Sequence, residues 1–328
     1  MRHPFGHTHD GREIEALSLH AGDLTVTILT LGAIVQDVRL KGVAHSLTVG
    51  SPQLAAYTEG ELGYYGALVG PVANRLTGAR APLGDSVIEV EPNEGTTSLH
   101  GGPNGMHSEI WTVEKATDSE AVLTLALADG KGGYPGNRKL RLRYSVDAPA
   151  HFRMVVEVVS DKDTLLNLAN HSYWNLDGRL TNAGHTLMVN ASRYTPVDAA
   201  TLPTGVVPVE GAFDLREGRE LTAEAAIYDH NFCLEGARGE MKHACTLTGK
   251  SGISLRIDTT EVGLQVFDGG HVTSGAHNGH SGQPFGNFCG VALEAQGWPD
   301  APNHADFPSI EVKAGETYRQ ETVWTFNR

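Results

Sequence analysis

The feature that most constrains the fold of this chain is short-range alternation of apolar and polar residues. Successive side chains of a β-strand point to opposite faces, so period-two runs rich in Val, Leu, Ile and Thr predict half-buried strands. Turn pairs such as Asp129-Gly130 separate the runs. The pattern recurs from end to end, at residues 24–30, 86–91, 121–127, 139–144, 152–159, 253–258, 263–268, 291–294 and 322–326.

Helical periodicity is nearly absent, and only residues 53–58 and 220–227 would form a turn or two of helix. The 39 glycines and 15 prolines supply the turns that many strands require. These observations predict an all-β sandwich or barrel. The most biased stretch, 273–287, is a loop by composition, and strand-like segments bracket it. Since no linker divides the chain, we expect residues 1–328 to form one large domain.

Charge and cysteine content exclude several classes of protein. With 25 Lys and Arg against 39 Asp and Glu, the net charge is −14 and no basic run is present, which argues against nucleic acid and anionic membranes as partners. The three cysteines form no CxxC motif, so a disulfide framework or a zinc ribbon is not expected. No apolar stretch near the start has the length of a signal sequence, and none elsewhere reaches about 18 residues. The expectation is a cytoplasmic protein, monomeric or homodimeric.

Five loops combine residue types suited to acid–base chemistry. Glu294 follows three small apolar residues that predict a buried strand, where a carboxylate is costly unless it is hydrogen-bonded or functional. His171 lies among Asn and Ser side chains that can orient an imidazole. His100 precedes two glycines, which permit close approach to the backbone. Spacing alone leaves a structural role open for each of the three. The five segments are 70–75, 98–102, 167–175, 228–232 and 291–304.

Two other features have weaker functional interpretations. His7, His9 and Glu13 fit the local HxH-x3-E spacing of a cupin metal site, but no later histidine completes a companion motif. Four aromatic residues could stack on a sugar ring, although each also suits a core: Tyr64, Tyr65, Trp174 and Trp298.

Taken in order, the segments resemble the aldose 1-epimerase (galactose mutarotase) family, and the resemblance covers most of the chain. The matching segments are Asn74-Arg75-Leu76 with Gly78, Leu99-His100-Gly101-Gly102 with Trp111, Gly133-Tyr134-Pro135-Gly136, Asn170-His171-Ser172-Tyr173-Trp174-Asn175-Leu176, Pro196-Val197-Asp198, Pro203-Thr204-Gly205, Phe213-Asp214, Tyr228-Asp229-His230-Asn231-Phe232, Leu293-Glu294 and Pro299-Asp300-Ala301-Pro302-Asn303-His304.

The resemblance implies a single-domain β-sandwich of the galactose mutarotase type that interconverts the α and β anomers of a free aldose. It implies Glu294 as general base and His171 as general acid. It also implies sugar-binding roles for the remaining matched positions, with no cofactor and no metal. Those binding positions are Asn74, Arg75, His100, Asp229 and Gln265.

The chain departs from the family pattern at a few positions. Pro71 stands where many members have Arg, Trp174 replaces Phe or Tyr, and the loop 273–287 has no clear counterpart. These departures leave open which of galactose, glucose or arabinose is preferred. The alternative functions are a hexose-6-phosphate 1-epimerase, disfavoured by the loss of a cation at Pro71, a glycoside hydrolase built on Glu294 and Asp229, and a non-catalytic sugar-binding protein. The last is disfavoured because Glu294 and His171 are both present.

Overall fold

The computed structural model describes residues 1–328 and consists mostly of strands. In chain order the strands are β1 (Arg2–His7), β2 (Glu13–Ala21), β3 (Leu24–Leu29), β4 (Val35–Leu40), β5 (Leu68–Val69), β6 (Arg75–Leu76), β7 (Arg80–Leu83), β8 (Ser86–Glu89), β9 (Ser98–Leu99), β10 (Thr112–Ala116), β11 (Glu120–Leu127), β12 (Arg138–Asp147), β13 (His151–Ser160) and β14 (Thr164–Leu165). They continue as β15 (Ala169–Asn170), β16 (Tyr173–Trp174), β17 (Thr186–Val189), β18 (Ala191–Thr195), β19 (Val207–Pro208), β20 (Arg219–Glu220), β21 (Asp229–Leu234), β22 (Lys242–Thr248), β23 (Ser254–Thr259), β24 (Gly263–Phe267), β25 (Val291–Gln296), β26 (Glu311–Val312) and β27 (Thr317–Asn327).

Helical structure is confined to single turns. The α-helix Ala55–Thr58 lies within the predicted segment 53–58, but 220–227 is not helical, and that prediction was wrong. No helix is long and apolar enough to cross a membrane. The five 3₁₀ turns are Thr77–Ala79, Met106–Ser108, Lys131–Gly133, Gly211–Phe213 and Ala301–Asn303.

Three antiparallel sheets carry most of the chain, and the alternating segments of the sequence supply strands to all three. The nine-stranded sheet has the order β10-β11-β12-β13-β27-β23-β22-β17-β20. The six-stranded sheet has the order β16-β25-β24-β21-β18-β19, and β1 to β4 form a four-stranded sheet. Four two-stranded pairs connect them: β14-β26, β15-β5, β6-β9 and β7-β8.

One hydrophobic core joins these sheets into a sandwich. Phe152 of β13 and Trp324 of β27 stack with ring centroids 5.0 Å apart in this core. Val266 of β24, Leu293 of β25 and Val26 of β3 belong to the same buried cluster. Sheet-on-sheet packing of this kind confirms the predicted all-β sandwich.

The loop 273–287 forms no strand, as its composition predicts. It is nevertheless tied to the body of the protein: His280 Nε2 lies 2.8 Å from the Gln36 carbonyl oxygen, and Ser51 Oγ donates to the Asn278 carbonyl oxygen. Phe285 packs against a second buried cluster that includes Tyr65 and is separate from the main core. The loop 273–287 therefore packs against the second buried cluster.

The six-stranded sheet positions the polar residues of interest. In β24, Leu264 and Val266 enter the main core, so Gln265 points to the other face of the sheet. The same alternation in β25 buries Leu293 in the core and turns Glu294 to the face of Gln265. All six residues of β25 are buried, which means that this second face is covered as well.

Candidate active site

A row of three polar side chains crosses the second face of the six-stranded sheet. Gln265 is the register partner of Glu294 on one side and of Asn231 on the other. Register partners in adjacent antiparallel strands hold their side chains about 4.5–5.5 Å apart on one face. All three are buried. Asp229, two residues before Asn231 in β21, lies on the same face and accepts a 2.6 Å hydrogen bond from Gln265 Nε2.

Glu294 faces His171 across the site, with Oε1 3.6 Å from the imidazole Nε2. Both side chains are almost fully buried, at 2% and 7% side-chain exposure. Oε2 of Glu294 and Nδ1 of His171 have no hydrogen-bond partner. Buried polar atoms are rarely left unpaired in folded proteins. The pair therefore has unused hydrogen-bonding capacity that suits a polar ligand.

His171 lies in the two-residue gap between β15 and β16, where backbone hydrogen bonds fix it. Its N–H donates to the Ala67 carbonyl, and its carbonyl accepts from the Gly66 N–H, at 2.9 Å each. The side chain of Asn170 donates to the Gly66 carbonyl and accepts from the Ser172 N–H. The polar residues flanking His171 thus hold the backbone of this segment.

Asn74 and His100 approach one another from the ends of the short strands β6 and β9. The Asn74 N–H donates to His100 Nδ1 at 3.1 Å, and the His100 N–H donates to the Asn74 carbonyl at 2.9 Å. Both residues have left-handed backbone, with φ of 59° and 54°. Such conformations cost energy and cluster at functional sites. Because Nδ1 of His100 accepts, the neutral ring carries its proton on Nε2.

Arg75 is held by carboxylates. Its Nε and Nη2 donate to the two oxygens of Glu94, at 2.6 and 2.9 Å. Nη1 lies 3.8 Å from Asp229 Oδ2. Two-pronged pairing of this kind fixes the plane of a guanidinium group. Burial opposes the charge of Arg75, but Glu94, Asp229 and Glu294 outweigh it and raise its pKa.

Burial governs the protonation of the central pair. It raises the pKa of Glu294 well above the ordinary carboxyl value, reinforced by Asp229 and opposed by Arg75. Burial lowers the pKa of His171 to about 4, its own carbonyl opposing and His107 adding to the fall. His100 is also neutral, since burial and the neighbouring His171 hold its pKa well below 6.5. Burial therefore favours the neutral pair, in which the Glu294 carboxyl is protonated and the His171 imidazole is uncharged.

Only one group of side chains in residues 1–328 has metal-ligand atoms that converge. His100, His171 and Glu294 each bring one such atom to within 4.8 Å of the others. His7, His9 and Glu13, the residues of the cupin-like spacing, are exposed and belong to no such group. The cupin interpretation is therefore wrong.

The structure brings together all seven site residues expected from the sequence. Contacts link Asn74 to His100 and Arg75 to Asp229, as well as Asp229 to Gln265. The ring centroids of His100 and His171 are 5.0 Å apart, and His171 in turn faces Glu294. The expected residues lie in one connected cluster: Asn74, Arg75, His100, His171, Asp229, Gln265 and Glu294.

Two side chains at the site, Asn231 and Glu94, were not singled out from the sequence. Asn231 has both amide atoms buried without a partner, and its period-two spacing from Asp229 was a usable signal. Glu94 holds Arg75 from a distant turn, which no local pattern indicates. Tyr64 is the only one of the four candidate stacking aromatics at the site, 4.9 Å from His100 between ring centroids. The other three, Tyr65, Trp174 and Trp298, are buried in hydrophobic clusters.

Comparison with known proteins agrees with this geometry. The family model described as aldose 1-epimerase matches residues 15–325. The chain belongs to the aldose 1-epimerase family. It is 33% identical to the galactose mutarotase of Mus musculus, over 97% of this chain and 95% of the relative. It is 28% identical to the aldose 1-epimerase of Escherichia coli strain K12, over 97% and 96%.

Solved structures show the same fold. An aldose epimerase homologue from C. elegans superposes with a TM-score of 0.88 at 25% identity, covering 95% of this chain and 98% of that one. A galactose 1-epimerase from Lactobacillus acidophilus gives 0.86 at 27% identity, over 100% and 98%. The protein is a carbohydrate epimerase, and the mutarotase function inferred from its motifs is confirmed.

Proposed function

We propose that this enzyme interconverts the anomers of free galactose and glucose, with Glu294 and His171 as its acid–base pair. The observation that carries the proposal is the buried pair itself, separated by 3.6 Å, with one unpaired polar atom on each partner. A carboxyl group and an imidazole that face one another in one buried site are what ring opening requires, because a hydroxyl must lose a proton while the ring oxygen gains one.

The proton balance closes over one turnover. In the reactive complex Glu294 is ionised and His171 is protonated. Glu294 removes the proton from the anomeric hydroxyl, His171 donates to the ring oxygen, and the C1–O5 bond breaks to give the open aldehyde. That state holds the neutral pair, which burial favours. After rotation about C1–C2 the same transfers run in reverse and close the ring on the other face. No electron is transferred, so the proposal needs no cofactor.

The remaining polar residues are proposed to hold the sugar hydroxyls away from C1. Arg75 and Asp229 offer a fixed donor and acceptor, and neutral His100 offers a donor. Gln265 contributes its unpaired Oε1, and Asn231 both of its unpaired amide atoms. Asn74 acts through the backbone, since its Oδ1 accepts from the Arg75 N–H.

The charge of the site favours an unphosphorylated sugar over a hexose phosphate. Arg75 is the cation of the cluster, and it is already paired with Glu94 and faces Asp229. A phosphate would have to compete with those carboxylates for Arg75. We therefore propose a neutral aldose as the substrate.

We also propose that residues 1–328 act as one domain in the cytoplasm. The main core contains residues from Leu17 to Phe326, so both ends of the chain contribute to it. All three cysteines are free and buried, as is usual in a reducing compartment.

Polarimetry of freshly dissolved α-galactose and α-glucose tests the function. The enzyme should speed the approach to the same final rotation, with or without EDTA. Glu294→Gln is the matched control, because it keeps the shape of the side chain and removes the base. No acceleration with either sugar would contradict the proposed substrates. Loss of the rate with EDTA would contradict a metal-free mechanism.

A further inference from the structure

His171 is surrounded mainly by rings. The ring of Tyr173 lies 5.1 Å from it at an interplanar angle of 26°, and that of Tyr64 lies 6.3 Å away at 18°. His100 meets it edge-on at 5.0 Å. Nδ1 of His171 has no hydrogen-bond partner. An imidazole is commonly oriented by a carboxylate or carbonyl bound to its second nitrogen; here aromatic rings pack on the faces of the imidazole.

The stacking continues behind Tyr173. Tyr65 stacks on Tyr173 with centroids 4.2 Å apart and planes 18° from parallel. Phe285 of the loop 273–287 lies 5.8 Å from Tyr65. Tyr173 and Tyr65 are both buried. We call Phe285, Tyr65, Tyr173 and His171 the aromatic column. It connects the loop 273–287 to the proposed acid.

The protonated form of His171 needs a stabilising contact that the column can supply. The titratable groups around the imidazole are Glu294 at 3.6 Å, neutral His100, and His107 beyond Tyr64. Apart from the backbone carbonyl of His171 itself, only Glu294 favours the imidazolium, and Glu294 becomes neutral once it has taken the proton of the sugar. The face of an aromatic ring carries partial negative charge and attracts a cation. It does so without supplying a competing base.

We propose that Tyr173, backed by Tyr65 and Phe285, is a positioning residue that orients the His171 ring and stabilises its protonated form through the face of its own ring. The proposal rests on His171 acting as the proton donor of the proposed function. It states that Tyr173 assists catalysis mainly through its aromatic ring and not through its hydroxyl group.

Two substitutions at one position separate ring from hydroxyl. Tyr173→Phe keeps the stacked face, and Tyr173→Leu removes it while leaving an apolar side chain in its place. The imidazole pKa of His171 is read from its C2–H resonance by NMR, assigned by the signal that is lost in His171→Asn. Values of kcat and KM come from polarimetry, and circular dichroism reports the fold.

The Phe variant should keep the His171 pKa and a kcat within about threefold of the native enzyme. The Leu variant should lower that pKa by up to about 1.5 units and kcat by about 2- to 30-fold, the range expected for losing a cation–π contact. KM should stay within about twofold in the Leu variant. Equal effects of Phe and Leu, or a Leu variant with native pKa and kcat, would overturn the proposal.

Tyr173→Met provides a second ringless variant if the leucine form does not fold, and the same pKa and kcat changes are expected of it. Failure of the proposed function can be told apart from failure of this proposal, because in that case the unsubstituted enzyme itself would not accelerate mutarotation. The NMR titration tests the role of Tyr173 in either case. A His171 pKa that is unchanged when the Tyr173 ring is removed would contradict that role and would leave the proposed function untouched.

Discussion

The site has two halves that are built in different ways. Asn231, Gln265 and Glu294 project from the middle of three paired strands, and their spacing is set by strand register. Asn74 and His100 project from the ends of two-residue strands with left-handed backbone, and they are fixed by bonding to each other. In paired strands, backbone hydrogen bonds position each side chain independently of its neighbours. In the loops, the residues position one another through their own hydrogen bonds. Substitutions should therefore separate activity from stability in the strand half and couple them in the loop half.

The largest effect is expected at the centre of the strand half. Glu294→Gln should lower kcat/KM by roughly 10²–10⁴-fold, the usual contribution of a well-placed acid–base group. Stability should not fall, because the change removes the cost of burying a carboxyl group that has an unpaired oxygen. Polarimetry and thermal unfolding measure the two quantities.

His171→Asn, in the segment that joins β15 and β16, is the counterpart and should show a loss of similar size. Native rates in either variant with the fold intact would contradict the proposed roles.

Asn231→Leu tests whether a side chain of the strand half can be replaced without loss of stability, with a smaller expected effect on activity than at Glu294. Replacing an unpartnered buried amide by an apolar group of similar size should leave the thermal midpoint unchanged or raise it. KM for galactose should rise up to about tenfold, because one neutral hydrogen bond is worth about 0.5–1.5 kcal/mol. An unchanged KM would remove Asn231 from the binding site. A marked fall in stability would show that this half is as coupled as the loops.

Asn74 offers the matching test in the loop half. Asn74→Ala and Asn74→Gly both delete the acceptor for the Arg75 N–H, but only alanine is strained at φ 59°. The alanine variant should be less stable than the glycine variant by about 1 kcal/mol in urea unfolding. Both should lose several-fold in kcat/KM, since the Asn74 side chain no longer holds the Arg75 N–H beside the site. Equal stabilities would argue against a strained backbone at this position.

The smallest change in activity is expected from a change of pH, which tests the contact between Glu294 of the strand half and His171 opposite it. With the pKa of His171 lowered to about 4 and that of Glu294 raised well above the ordinary carboxyl value, the pair keeps one proton between about pH 4 and the raised pKa of Glu294. Below that pH His171 takes a second proton and Glu294 no longer accepts one. The kcat/KM value should change by less than about twofold between pH 7 and pH 5. Activity lost on acidification with a midpoint near 6.5 would contradict this assignment.

The sequence by itself determined the fold class and nine of the 27 strands. Period-two alternation predicted strands within β12, β13, β24 and β25, because burying one face of a strand imposes that period. It also predicted Glu294 as a notable carboxylate, since the residues before it indicate burial. The alternation that places Asp229 and Asn231 on one face was equally available in the sequence.

Only the tertiary structure decided which loops meet. Residues 220–227 were expected to form a turn or two of helix, yet strand β20 ends at Glu220 and the chain then bends, because local propensity is weaker than packing against the rest of the molecule. Glu94 meets Arg75, and Phe285 reaches Tyr65, across distances in sequence that no local pattern encodes. The facing of Glu294 and His171 depends on β25 pairing with β16 in one register. Register and loop closure are set by contacts between distant segments, and those contacts exist only in the folded chain.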